Sequence, residues 1–349
     1  MKKKLISTFK YVSSLSLGAL LIWYLYKDQS TSEIGKMLTE LNLFWVVMSL
    51  LASIAAHYTR AWRWTVAMKP IGYDVSSINA FLAVMSGYFA NLFVPRLGEF
   101  MRCGLLNKTD SVAVNKAFGT VVTERVVDLI MLATMAIALF LVEYEMVGSF
   151  VLDNISSHPT GLMEKALLFL SVGIMGILIL FALYKFRSRL RQNRLYAKAY
   201  DFLMGLKEGL LSIKDLNPKQ RIAYIFSTFA IWVCYFLMTY FLFFALPETS
   251  SLGLYCAFNL LVLGSVGMAI PTPGGTGSFH LFAIFTLTLF GVDELTGKNF
   301  ALLSHGLSTL ILLVGGGISL IISFFITNRK KKQEKVTIEK LNRKLIEKE

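Results

Sequence analysis

Three short stretches hold the side chains that could do chemistry. The first, NLFVPRLGEFMR at 91–102, supplies Asn91, Pro95, Arg96, Gly98, Glu99 and Arg102. Glu99 and Arg102 are three apart, so one helical turn lets them pair. Arg96 is then free to meet an anion, and a guanidinium grips phosphate oxygens in a bidentate fork. The plainer alternative is that Arg96 and Arg102 only snorkel to an interface. The second stretch, TERVVD at 123–128, places Glu124 and Asp128 on one helix face, with Arg125 able to neutralise one of them. Such a set either locks helices together or lines a substrate path, where one acid could take up a proton. The third, PTPGGTGSFH at 271–280, combines a broken backbone with hydroxyls. Pro271 and Pro273 remove amide donors, and Gly274, Gly275 and Gly277 permit turns that other residues resist. Freed N–H groups, with Thr272, Thr276 and Ser278, could cradle an anionic head group. His280 follows directly, as a titratable group or as a satisfied interior histidine.

All three stretches lie inside apolar sequence, which gives them their weight. The chain has 349 residues, 55% of them hydrophobic and only 16% charged, well below the roughly 25% charged residues of a soluble domain. Lipid is therefore the expected solvent, and ionisable groups inside lipid face the protein interior or a wet cavity. The net charge of +13 sits in short runs between apolar segments. That placement suits topology signals and anionic lipid rather than nucleic acid. Cys103, Cys234 and Cys256 form no CxxC pair and read as packed thiols. No Ser–His–Asp arrangement, zinc motif, dinucleotide fingerprint or nucleotide-binding loop occurs, so neither an enzyme nor a cofactor or metal site is expected. Intramembrane chemistry at Glu99, Glu124 or Asp128 stays open.

The elements that must position these groups follow from hydropathy. Apolar runs at 9–26, 43–60, 117–142, 166–184, 222–246 and 300–326 are each long enough for a span of about 20 residues. Lysines 2–4, the basic segment 185–221 and the tail 329–349 read as cytoplasmic, and the acidic 143–165 loop as external. Arg60, Trp62, Arg63 and Trp64 then read as an interface belt closing the second span. Segment 196–211, with Tyr196, Tyr200, Leu203, Leu206 and Leu210, reads as an amphipathic helix lying on the inner leaflet or packed on the bundle. For both termini to be cytoplasmic, 78–106 and 253–291 must each cross an even number of times; the first is too short for two full spans, and the second is broken at 271–280. The expectation is an all-α integral membrane bundle of about seven full spans. Two re-entrant hairpins enter it from opposite faces, with turns at 94–98 and 271–280. Residues 1–328 form one membrane domain.

The three motifs, in this order and within this hydropathy profile, resemble the transmembrane, flippase-like domain of lysylphosphatidylglycerol synthases in its stand-alone form. The resemblance covers about 10–326. It implies a protein of the bacterial cytoplasmic membrane that moves a lipid or lipid-linked molecule between leaflets. The soluble aminoacyl transferase domain of the two-part synthases has no counterpart here, so lysine transfer is not implied. The head-group residues expected on this reading are Asn91, Arg96, Glu99, Arg102, Glu124, Arg125, Asp128, Thr272, Gly274, Gly275, Thr276, Ser278 and His280. The expected partners are anionic membrane lipids. The rival reading is a non-transporting scaffold that recruits an envelope-biosynthesis enzyme through its basic segments.

Overall fold

The computed structural model describes residues 16, 19–27, 30–142, 204, 207, 211–270 and 272–346. The described residues form helices and turns, with no strand. In chain order the helices are α1 (Thr31–Thr39), α2 (Leu43–Met68), α3 (Ser77–Phe93), α4 (Leu97–Asp110), α5 (Val114–Val142), α6 (Pro218–Phe243), α7 (Leu254–Ala269), α8 (Ser278–Leu289) and α9 (Glu294–Ile346). Residues 19–26, ahead of α1, are helical as well.

Local chemistry sets several boundaries. Asn42 caps α2, its side chain accepting from the Phe44 amide. Asn217 and Gln220 cap α6 reciprocally, and Pro218 stands where the missing donor costs nothing.

Four helical stretches among the described residues are long and apolar enough to cross a membrane: Leu43–Ile71, Val114–Val142, Pro218–Phe243 and Glu294–Lys330. The second span therefore runs well past Arg60, where the apolar pattern was expected to end. The last continues as one helix into the 329–349 tail. The expected span at 166–184, the acidic 143–165 loop, lysines 2–4 and residues 185–203 of the basic segment, including most of 196–211, lie outside the described residues.

The two interrupted stretches are helical hairpins. The helices break at Val94–Arg96 and between the end of α7 at Ala269 and the start of α8 at Ser278. At 1.5 Å per residue, α3, α4, α7 and α8 are roughly 25, 21, 24 and 18 Å long. Each is shorter than a hydrocarbon core of about 30 Å.

Side-chain ties fix which ends face which way. The Asn42 amide donates to Ala245 O, and Tyr26 Oη to Lys298 O. Residues 26, 42, 245 and 298 therefore share one end. At the other end Lys330 Nζ donates to Thr109 O at 2.9 Å and to Ser111 Oγ at 3.0 Å. Hairpin α3–α4 thus rises from the end that holds Lys330, and hairpin α7–α8 descends from the opposite end. Their tips meet, since a Cβ on Gly274 would lie 3.2 Å from Leu92 Cδ2.

Small residues allow these approaches. A Cβ on Gly87 would sit 2.8 Å from Gly98 O, and one on Gly98 would strike Gly87 O. Across the hairpin, a Cβ on Gly316 of α9 would lie 2.7 Å from Met85 O and from Phe89 Cβ. Apolar surface gives little drive for association in lipid, so close backbone packing carries it instead.

Gly98 and Gly104 test this within one helix. Gly98→Ala should cost about 1–3 kcal/mol through forced separation of α3 and α4. Gly104→Ala meets open space and should cost nothing. Denaturant titration of both variants in detergent checks the difference, and equal stability would refute the packing account.

Candidate functional site: a charge network inside the bundle

The network begins on α2. Arg60 and Arg63, one helical turn apart, are buried, and so is Trp64 beside them. Arg60 Nη1 donates to Asp128 Oδ2 at 2.7 Å, and Arg63 Nη2 donates to Asp128 Oδ1 at 2.8 Å. Both oxygens of one carboxylate on α5 are therefore engaged by two guanidiniums from α2. Arg63 Nη1 also donates to Thr228 Oγ1 of α6 at 3.0 Å, and its guanidinium stands 5.5 Å from the Tyr224 ring.

The first hairpin joins from the other side. Arg102 Nη2 of α4 donates to Glu124 Oε2 at 2.6 Å, and Glu124 is fully buried. The Arg102 guanidinium lies 4.6 Å over the Trp64 ring, a cation–π contact that holds its plane. The indole Nε1 in turn donates to Thr120 Oγ1 at 2.8 Å. Glu99 Oε1 accepts from Arg125 Nη2 at 2.7 Å. This pair is the more open one, with side-chain exposures of 17% for Glu99 and 45% for Arg125.

These contacts revise the expected pairing. Glu99 does not pair with Arg102, its neighbour one turn on; each reaches instead to α5, to Arg125 and Glu124. Arg125 does not neutralise Asp128; that role falls to Arg60 and Arg63. The interface-belt reading of those two arginines and Trp64 is also overturned, because the helix continues beyond them and turns them inward. Burial in apolar surroundings was the available signal, since Arg60 and Arg63 stand in the same kind of sequence as TERVVD.

Four guanidiniums, of Arg60, Arg63, Arg102 and Arg125, face three carboxylates, of Glu99, Glu124 and Asp128. The set therefore carries one surplus positive charge among the described residues. Glu124 begins about 15 Å along α5 from Val114 at 1.5 Å per residue, close to half the thickness of a hydrocarbon core. Beside the network is a cavity lined by Val84, Gly87, Tyr88, Asn91, Gly98, Glu99, Arg102 and Arg125. Its volume is about 10 Å³, room for roughly one water.

Two residues of the first motif act on the hairpin turn. Asn91 Oδ1 accepts from the Gly98 amide at 2.7 Å, tying the end of α3 to the start of α4. Arg96 lies in the turn with a left-handed backbone, φ 65°, and is exposed. It makes no ion pair among the described residues.

The third motif forms a separate group. Thr272 Oγ1 and Ser278 Oγ are hydrogen-bonded at 2.9 Å, and Ser278 Oγ donates to Gly275 O at 3.2 Å. Thr276 is half-buried, and its amide donates to Pro273 O at 3.1 Å. Gly274 and Gly275 take positive φ of 62° and 79°. His280 Nδ1 accepts from the Gly277 amide at 3.3 Å, so it acts as a satisfied interior histidine. His305 of α9, not singled out in the sequence, lies 4.7 Å from the His280 ring and bonds Gly274 O through Nε2 at 3.0 Å. The hydroxyls thus turn onto the loop itself. No hydrogen bond or ion pair among the described residues joins this group to the charge network. Nor do three His, Cys, Asp or Glu side chains gather there as a metal site would need.

The sequence model of the lysylphosphatidylglycerol synthase TM region matches residues 11–316. A UPF0104 membrane protein of Methanocaldococcus jannaschii is 25% identical over 303 residues, covering 83% of this chain and 88% of its own. Another, from Pyrococcus horikoshii, is 20% identical over 323 residues, covering 88% and 94%. A second Methanocaldococcus jannaschii relative reaches 31% identity over 210 residues, 59% of this chain and 81% of its own. These relatives are archaeal, whereas the sequence resemblance led to the expectation of a bacterial membrane. No solved structure matches the chain.

Asp128→Asn should be strongly destabilising. It strands Arg60 and Arg63 away from water, a loss of about 3–5 kcal/mol for a broken buried pair. Glu99→Gln opens a pair whose guanidinium stays half-exposed and should cost clearly less than Asp128→Asn. Unfolding in a graded denaturing detergent separates the two, and a mild Asp128→Asn would refute the assignment of Asp128 as the anchor.

Proposed function

Because the chain belongs to the family of the lysylphosphatidylglycerol synthase TM region, we propose that it is a lipid flippase or scramblase-like transporter. Its cargo is an anionic phospholipid or lipid-linked molecule. The observation that carries this reading is the net-positive set of guanidiniums beside a small cavity, midway along the bundle and at the flank of a broken hairpin. A head group crossing hydrocarbon leaves water without replacement hydrogen bonds, which is the cost a polar lining removes. Arg102 and Arg125 line the cavity and offer that replacement. Arg96, exposed and without a carboxylate partner among the described residues, is the group that meets an arriving phosphate first.

The cavity as it stands is too small for a head group, so the described arrangement is a closed one. Opening requires hairpin α3–α4 to move relative to α5, or its tip to part from Gly274. The two hairpins enter from opposite ends, which suits access from each leaflet in turn. The end bearing Lys69, Lys108, Lys219, Arg221, Arg329 and Lys330 is the cytoplasmic one by the positive-inside rule. On this reading the C-terminus is cytoplasmic and the first hairpin opens to the cytoplasmic side.

A leaflet assay on the purified protein in unilamellar vesicles tests the reading. Fluorescent phosphatidylglycerol and a fluorescent polyprenyl phosphate serve as parallel substrates. Wild type should speed exchange of at least one of them over empty vesicles. Arg96→Ala and Arg125→Gln should each slow it by about tenfold or more, the loss expected from one charge-assisted hydrogen bond. Absence of movement for every anionic lipid offered would refute transport.

A further inference from the structure

The outermost pair of the network differs from the others in a way that has consequences for ligand binding. Asp128 has both oxygens engaged, and Glu124 is sealed beneath Arg102 and near Arg63, 3.9 Å away. Glu99 and Glu124 each accept a hydrogen bond through one oxygen only among the described residues, but the spare Oε1 of Glu124 has a guanidinium beside it and Glu99 does not line up with a second one. Glu99 Oε2 is buried and has no hydrogen-bond partner among the described residues, and the residue lines the cavity together with its partner Arg125. Half of this carboxylate's accepting capacity is unused while its partner guanidinium stays half-exposed. A buried acceptor left unpaired is costly, and this is the pair of the set that combines one with an exposed partner and a place on the cavity wall.

Charge points the same way. Four guanidiniums against three carboxylates leave one positive charge without a counterion among the described residues. One monoanion brings the set to neutrality; a dianion overshoots by one. A phosphodiester carries one charge and two free oxygens, enough to take both N–H groups of one face of a guanidinium fork.

We propose that Glu99 is a built-in competitor for the substrate phosphate. Its carboxylate holds Arg125 until a monoanionic phosphodiester takes its place, which releases α4 from the exposed side of α5. This inference rests on the transport reading and names the anion and the exchange that admits it. Glu99 is then a specificity element: it sets the surplus at one charge and so favours a phosphodiester over a phosphomonoester. The exchange makes and breaks no covalent bond.

Equilibrium binding to the purified full-length protein tests it. The probes are dihexanoyl phosphatidylglycerol, a monoanionic diester, dihexanoyl phosphatidic acid, a monoester, and inorganic phosphate. Wild type should bind the diester more tightly than the monoester. Glu99→Gln should bind the diester about tenfold more tightly, since a competitor of one charge-assisted bond has been removed. It should gain still more for the monoester, so that the preference shrinks. Arg125→Gln should weaken the diester, and the double variant should match Arg125→Gln, because Glu99 acts through Arg125. If Glu99→Gln does not fold, Glu99→Asp, with the charge kept and the reach shortened, should shift affinity the same way by less.

Unchanged or weaker binding by Glu99→Gln, with a wild type that still moves lipid, overturns the competitor role and leaves transport standing. Binding of inorganic phosphate as tight as that of the diester overturns the lipid assignment. No binding or movement of any probe by wild type or variant removes both readings.

Discussion

Four guanidiniums cannot be placed inside an apolar bundle unless something nearby carries the opposite charge, and that requirement organises this molecule. Asp128 anchors the arrangement by accepting from Arg60 and Arg63 at once. Breaking a buried pair leaves an uncompensated charge, so α2 and α5 are held in one register by electrostatics that packing alone would not supply. Thr228 extends the hold to α6, and Glu124 extends it to α4 through Arg102. Helices far apart in sequence thus converge on two carboxylates one helical turn apart.

The hairpins depend on a different constraint. Backbone that leaves the helical path at membrane depth must find its hydrogen bonds within the protein. Asn91 meets this need at the first turn by accepting from the Gly98 amide. At the second turn Thr272, Ser278 and His280 close on the loop's own groups, and His305 takes the Gly274 carbonyl. Glycine is required where two backbones nearly touch, at Gly87 against Gly98 and at Gly316 against Met85. The third motif therefore stabilises a hairpin tip, while the charge-bearing work falls to the first hairpin and α5.

These two constraints give the bundle a graded interior. Around Asp128 and Glu124 the pairs are deep and closed, which suits a fixed framework. Around Glu99 and Arg125 the pair is open on one side and beside a cavity, which suits exchange with an outside anion. The transport proposed above would use both: a part that keeps its geometry and a part whose contacts can be replaced by those of a cargo at little net cost.

Much of this was legible in the sequence. Charge scarcity and long apolar runs determined a helical membrane protein, and the Pro/Gly breaks with the parity of crossings determined hairpins at 91–102 and 271–280. The cost of charge in lipid marked Glu99, Arg102, Glu124, Arg125 and Asp128 as interior groups. Pairing was another matter. Neighbours three or four apart on one helix suggested Glu99 with Arg102 and Arg125 with Asp128, yet every one of these groups found its partner on another helix. The span that ended at Arg60 on hydropathy alone continues to Met68, because pairing with Asp128 removes the penalty that hydropathy charges to Arg60 and Arg63. A sequence reports the cost of burying each charge, but which partner cancels that cost depends on helix rotation and crossing, and these are set only when the whole bundle packs.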